Sequence, residues 1–366
     1  MIEFTQKNII DVCLGTKTIQ AGYFGTTLVY QKSSPGPSTD PYITLKANEP
    51  STIGLASKSS VHTLEYSTDK TNWNTMDTST SINLSDGDKV YVRGILSAAQ
   101  DVSYTRFSIT GNVKVSGNIN AVWNYQDLTA SLKDYCGYRL FYGCTGLYDI
   151  SDLQLPATIL AQSCYRAMFY GCTELTSIPT NLLPATTLVS GCYSNMFYGC
   201  TSLTTVPTNL LHATTLAQSC YGAMFCGCTS LTVAPELPAI TLTEYCYDSM
   251  FRDCSSLTTA PTEIAATTLA SECCRWMFRS CISLTTAPRL SYTGELVSGC
   301  YEEMFRECSN LNYVYCKGVP NSSVVCTSGW LSGVSSTGTF VVKDYSTIDK
   351  WSRGYSGIPQ NWTIRI

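Results

Sequence analysis

The chain has 366 residues, enough for two or three ordinary domains or for one long repeat array with attachments. Its 23 Lys and Arg are scattered among 27 Asp and Glu, giving a formal net charge of −4, so no basic footprint for DNA or RNA is present. His62 and His212 are the only histidines, so the usual acid–base group and metal ligand are nearly absent, and an enzyme would have to rely on carboxylates.

The N-terminus, "MIEFTQKNIIDVCLG", carries Glu3 and no continuous apolar stretch, so it does not read as a secretory signal. No later segment offers the ~18 apolar residues that a membrane span needs. The expectation is a soluble chain made for the cytoplasm, without membrane insertion, unless a leader has been trimmed. Residues 1–32 show short apolar runs broken by Gly and predict a small β module. "SSPGPSTDP", residues 33–41, is a linker by composition. Residues 42–120 alternate turn signals with strand-like runs such as "YITLKA" and "KVYVRGIL", which predicts an Ig-like β-sandwich with Tyr66 and Trp73 as packing candidates.

Internal repeats fill residues 121–316. Cys136, Cys164, Cys192, Cys220, Cys246, Cys273 and Cys300 recur at spacings of 28, 28, 28, 26, 27 and 27. Each is followed eight residues later by a second cysteine, at Cys144, Cys172, Cys200, Cys228, Cys254, Cys281 and Cys308, and then by a leucine three residues on. In "TTLVSGCYSNMFYGCTSLTTVP", Leu188, Cys192, Met196, Phe197 and Cys200 fall within half a turn at ~100° per residue, which predicts an amphipathic helix. Thr187 is its candidate N-cap and Gly199 its left-handed C-terminal residue, with Asp253, Ser280 and Glu307 at that place in later units. "SLTTVP" then reads as a short strand pairing with its neighbours. One helix and one strand per unit predict a seven-repeat α/β solenoid. The tail, residues 317–366, is rich in Trp, Gly and β-formers and predicts a cap on the open end of the array.

A structural zinc site wants four converging ligands, usually as CxxC pairs, and the repeats contain no CxxC. Within a helix the paired cysteines would lie ~12 Å apart at 1.5 Å per residue, beyond the ~7 Å between Cα atoms that a disulfide spans. Bridges between neighbouring repeats remain geometrically allowed. The favoured reading makes all fourteen repeat cysteines small apolar core residues in two thiol ladders, consistent with a reducing compartment. Tyr165, Tyr193, Tyr221, Tyr247 and Tyr301, each following a first cysteine, are read as packing between helices on the convex side in preference to ligand stacking. Thr-rich stretches such as "TSLTVAPELPAIT" form an extended polar surface suited to a macromolecule or a glycan, but no individual ligand-binding residue can be assigned. No nucleophile or phosphate-loop motif occurs, and Glu174, Glu236, Asp248, Asp253, Glu263, Glu302 and Glu303 read as a solvated face. Neither a catalytic site, a metal nor a cofactor is expected.

The pattern CYxxMFxGCxxLxxxP, with "LPATT" between units, resembles the BspA-type leucine-rich repeats of bacterial surface proteins over about residues 132–316. Phe141, Phe169, Phe197, Phe225, Phe251, Phe278 and Phe305 fill that family's aromatic position; Leu140 departs from the Met position and Cys274 from the Tyr position. The resemblance implies a leucine-rich-repeat fold and roles in adhesion. The flanks, including "VCLGTKTIQAGYFGTTLVYQK" and "GIPQNWTI", resemble modules of tailed-phage virion proteins and related prophage genes. That implies a fibre or decoration protein assembled in the host cytoplasm. Its N-terminus would dock on other virion proteins, and its repeats would meet a host surface protein or glycan. A homo-oligomer is left open, a bacterial cell-surface adhesin is the alternative, and a carbohydrate-active enzyme stands third.

Overall fold

The computed structural model describes residues 38–100 and 104–366, with the backbone of four short strands before them. The chain divides into two compact units, Met1–Ser38 and Thr39–Ile366. In the first, β1 (Cys13–Leu14) pairs antiparallel with β2 (Lys17–Thr18), and β3 (Ala21–Phe24) with β4 (Thr27–Gln31). The side chains of the expected docking module, and the expected linker as far as residue 37, lie outside the described residues.

The second unit begins with eight strands: β5 (Ile43–Ala47), β6 (Ser51–Ser57), β7 (His62–Ser67), β8 (Asn74–Met76), β9 (Ser81–Leu84), β10 (Lys89–Leu96), β11 (Arg106–Thr110) and β12 (Val113–Asn118). Alternate residues of β5 and β10 are buried, which is how a period-two sequence puts Ile43, Leu45, Val90 and Val92 on one face. The order β12-β5-β10-β7-β8 makes one antiparallel sheet and β11-β6-β9 a second. A short helix, α1 (Asn120–Asn124), follows. The larger sheet continues past it, because β13 (Leu147–Asp149) and β14 (Leu153–Gln154) of the first repeat both pair parallel with β12. Phe107 N–H also donates to Leu140 O at 2.8 Å, and Val113 N–H to Gly146 O at 2.8 Å. These bonds weld the sheets to the first repeat.

The predicted repeat helix does not form. Among the described residues the helices are α1 and the four-residue α2 (Tyr345–Ile348), and the expected α/β solenoid is therefore wrong for this chain. Each cysteine-to-cysteine segment is instead a run of turns. The residues before the first cysteine, three after it and seven after it have left-handed backbones, as at Gly191, Asn195 and Gly199 (φ 62°, 57° and 69°). An α-helix of L-residues cannot accommodate such positions. The amides also alternate: Cys192 and Met196 donate back three residues to Val189 and Tyr193, whereas Tyr193, Asn195, Phe197 and Gly199 donate to Cys220, Gly222, Met224 and Cys226 of the next unit. Half the backbone donors thus leave the unit and stitch it to its neighbour. A helix would keep them all. The apolar spacing that suggested a helix is strictly four residues (Cys192, Met196, Cys200; Tyr193, Phe197), which fits repeated turns better than a 3.6-residue period.

Thr187 and Gly199 are accordingly not helix caps. Thr187 bridges Thr215 in the next unit, and the left-handed residue at Gly199 closes a turn run. Asp253, Ser280 and Glu307 adopt the same left-handed backbone (φ 60°, 61° and 64°) without being glycine. Each costs ~1 kcal/mol, offset by a bond to the following unit, as from Asp253 N–H to Arg279 O at 2.8 Å. The expected strand of each unit is reduced mostly to single parallel bridges, such as Ser177 to Thr205 and Val233 to Thr259. No continuous sheet runs along the described repeats. The small sheets there are β15 (Glu263–Ile264) with β16 (Arg289–Leu290), and β17 (Tyr313–Tyr315) with β18 (Thr339–Val341) and β19 (Thr363–Arg365), all parallel.

Residues 325–332 receive the same alternating bonds from the seventh unit, including Tyr301 N–H to Cys326 O and Phe305 N–H to Trp330 O. The tail therefore supplies an eighth run of turns. Buried residues form one core continuous from Ile43 to Trp362.

Candidate interaction surface

All fourteen cysteines singled out by spacing are buried inside the stack, and the eighteen cysteines described carry free thiols. The second cysteine of each unit has a specific partner. Cys144, Cys172, Cys200, Cys228, Cys254, Cys281 and Cys308 each donate Sγ–H to the carbonyl of Phe107, Phe141, Phe169, Phe197, Phe225, Phe251 and Phe278 in turn, at 2.9–3.3 Å. A small apolar side chain with one weak donor fits that place, which alanine would leave without the bond. The first cysteines bond more weakly, as from Cys136 Sγ to Cys164 O at 3.8 Å. Burial pushes Cys136, Cys144, Cys220 and Cys308 up to about 12, and Cys164, Cys172, Cys192 and Cys200 well above the usual thiol range. These thiols are protonated and unreactive.

Two aromatic ladders run beside them. Phe141 through Phe305 stack with centroids 5.4–5.7 Å apart, and Phe107 of β11 closes the first end at 5.2 Å. Tyr165, Tyr193, Tyr221 and Tyr247 stack at 5.9–6.1 Å and are fully buried, so they pack between units in the interior and not on a convex helix face. The first unit has Gly137 at the tyrosine position, and Trp123 of α1 supplies the missing ring against Tyr165 at 6.3 Å. Trp330 does the same for Tyr301 at the far end, also at 6.3 Å.

Outside the stack, Thr176, Thr204, Thr232, Thr258 and Thr285 form one exposed line, and Thr186, Thr214 and Thr267 lie in a second. Hydroxyls of the first line donate to the preceding unit's carbonyl, as from Thr258 Oγ1 to Thr232 O at 3.1 Å. A third line was not singled out by the sequence reading. Tyr142, Tyr170 and Tyr198, each next after the ladder phenylalanine, stack half-buried at 4.6 and 4.5 Å with nearly parallel rings. Their signal is the thrice-repeated "FYGC" beginning at Phe141, Phe169 and Phe197. Cys226 takes the tyrosine's place in the fourth unit, and its thiol, with burial, pushes Tyr198 up to about 12.

The head of this column is cationic. The Arg139 guanidinium lies 4.9–5.1 Å from the ring centroids of Tyr104, Tyr138 and Tyr142, and its Nη1 donates to Tyr104 OH at 2.8 Å. Arg106 lies 5.8 Å from the Tyr142 centroid. Down the same face the arginines are paired: Arg252 with Asp253, Arg275 with Asp248 and Glu272, and Arg279 and Arg306 with Glu303. Being half-exposed, each such pair contributes ~0–1 kcal/mol. Asp248, Asp253 and Glu303, read from sequence as a solvated face, are thus bound to arginine.

Among the described residues no three His, Cys, Asp or Glu side chains converge as a metal ion requires. A cleft of about 170 Å3 lies between β10, α1 and residues 126–136. Two of its polar groups are already engaged: Asn120 Nδ2 donates to Leu128 O at 2.8 Å and Lys133 Nζ to Leu96 O. His62, beneath it, donates Nε2–H to Val122 O at 2.7 Å and accepts from Thr105 Oγ1 at 2.9 Å, and burial lowers its pKa to about 4. Comparison of the chain with protein-family models, with curated proteins and with solved structures found no match.

Proposed function

We propose that this chain is a non-enzymatic component of a tailed-phage virion, of fibre or decoration type, held on the particle by its N-terminal module and contacting the host bacterial surface through the repeat stack. The observation that supports surface binding is the ordered hydroxyl array on the outside of the stack, made by the tyrosine column and the threonine lines. Side chains that recur in successive units, three for the tyrosines and five for the longer threonine line, sit on a backbone stitched from unit to unit and present the same groups at a fixed spacing over that part of the stack. Such a surface suits a repeating polymer or a broad protein face better than one small molecule. The virion as location rests on the flanking segments' resemblance to phage modules, and other virion proteins are the partners expected at the N-terminus.

Mass spectrometry and antibody labelling of particles purified from a culture expressing the gene provide the test. Retention of the full chain on intact particles, and adsorption of the isolated protein to host cells, are expected. Absence from particles together with labelling of the bacterial surface would instead make the chain a cell-surface adhesin.

A further inference from the structure

We infer that the tyrosine column and the arginines at its head form a binding site for a glycan carrying a carboxylate-bearing sugar, with the acid group on Arg139, Arg106 and Arg166 and neutral sugars along Tyr142, Tyr170 and Tyr198. This rests on the surface-binding reading above and names its ligand class.

Charge pairing separates the two halves of the face. Among the described residues Arg106, Arg139 and Arg166 have no carboxylate partner, whereas Arg252, Arg275, Arg279 and Arg306 each have at least one. Arg139 uses one guanidinium donor, Nη1, on Tyr104. A planar guanidinium with free donors, held in place by three rings, is preorganised to take a carboxylate in a forked pair. Arg166 is exposed in the next unit, whose backbone carbonyl at that residue accepts from Arg139 N–H at 3.1 Å.

The ring geometry selects among anionic polymers. Because Tyr142, Tyr170 and Tyr198 stack face to face at about 4.5 Å, their π-faces are closed to an incoming base and only ring edges and hydroxyls face solvent. Single-stranded nucleic acid, which needs open aromatic faces, is therefore disfavoured. A row of phenolic hydroxyls matches the hydroxyls of sugars. A uniform polyanion is disfavoured as well, since further along the same face the arginines are matched by Asp248, Asp253, Glu272, Glu303 and Glu307 and offer it no net positive charge. The ligand's charge must be local, at the arginine end, with an uncharged stretch following the tyrosines.

Calorimetric titration of the full chain with matched pairs, 3′-sialyllactose against lactose and cellobiouronic acid against cellobiose, tests this. At least one acidic member is expected to bind ten-fold or more tightly than its neutral partner. Arg139→Met and Arg166→Met should each weaken that binding by a similar factor, Tyr170→Phe should weaken it about three-fold without altering packing, and Arg279→Met should leave it unchanged. Equal affinity within both pairs, absence of binding to all four, or unchanged binding by Arg166→Met and Tyr170→Phe, would overturn the proposal. The surface-binding reading is scored separately by adsorption of the same variants to host cells. Wild-type adsorption that Arg139→Met leaves intact refutes the glycan site alone, whereas failure of wild type to adsorb refutes the broader reading.

Discussion

Replacing Phe197 by Ala removes a ring from the middle of the phenylalanine ladder. Phe197 is fully buried, with Phe169 at 5.4 Å and Phe225 at 5.7 Å on its two faces, both within 5° of parallel. A Phe-to-Ala change in a core costs ~3–5 kcal/mol, and each stacked pair accounts for ~0.5–1.5 kcal/mol of the specific interaction. With two pairs lost the upper end, ~4–5 kcal/mol, is expected. Phe305 has an aromatic neighbour in this ladder only at Phe278, 5.6 Å away, so Phe305→Ala should cost ~1 kcal/mol less. Urea unfolding followed by tryptophan fluorescence measures both, with Trp123 reporting from the first end of the stack and Trp330 from the other. Units bonded only to their neighbours should also uncouple at Phe197, giving two transitions where the wild type has one. Phe197→Leu, which keeps most of the volume, controls for outright failure to fold. Equal costs at the two positions, or a Phe197→Ala cost below ~2 kcal/mol, would refute the argument that stacking between units carries the stability.

Three further outcomes are expected. The His62 ring has a folded pKa of about 4 against 6.5 unfolded, so the unfolded chain binds more protons between those values. The His62 contribution should therefore be complete well above pH 6.5 and fall by ~3 kcal/mol as pH drops to 4; in thermal melts across that range wild type should lose stability relative to His62→Gln, which has no ring to titrate there. Native protein should leave the eighteen described thiols unlabelled by iodoacetamide near neutral pH, and all should react once unfolded without reductant. A deficit after unfolding would mean that disulfides form. Gly146→Ala should destabilise the chain by ~1–3 kcal/mol, because a Cβ there collides with the Gly111 carbonyl where the strands meet the first repeat; wild-type melting behaviour would show that this junction yields freely.

The repeat boundaries, the buried cysteines and the phenylalanine ladder follow from spacing alone, because each unit repeats one pattern of inward side chains. The helix did not follow, and the reason is local. Side-chain periodicity reports which residues face inward but not where backbone amides go, and here alternate amides go to the next unit. Asn195 and Trp276 adopt left-handed backbones (φ 57° and 55°) at positions where only a conserved glycine would have signalled them. The eighth run of turns was hidden because Leu331 and Val334 stand where the seventh unit has Phe305 and Cys308. Arg139, Tyr104 and Tyr142 lie up to 38 residues apart in sequence and meet only because β11 packs on the first repeat. A contact that depends on the folded junction leaves no spacing to read.

The two ends of the stack are closed by different parts of the chain, Phe107 and Trp123 at one and Trp330 at the other, yet the bonds joining neighbouring units are the same at every step. The terminators consequently carry no information about how many units lie between them. Copy number is a free variable. Excising residues 192–219 would join Ser190 and Gly191 to an equivalent cysteine at Cys220, bring the closed ends ~5 Å nearer, and leave every remaining interface of the same kind. Unequal recombination between such units would lengthen or shorten the molecule like a ruler cut at its graduations, while the arginine cluster at the origin kept its shape.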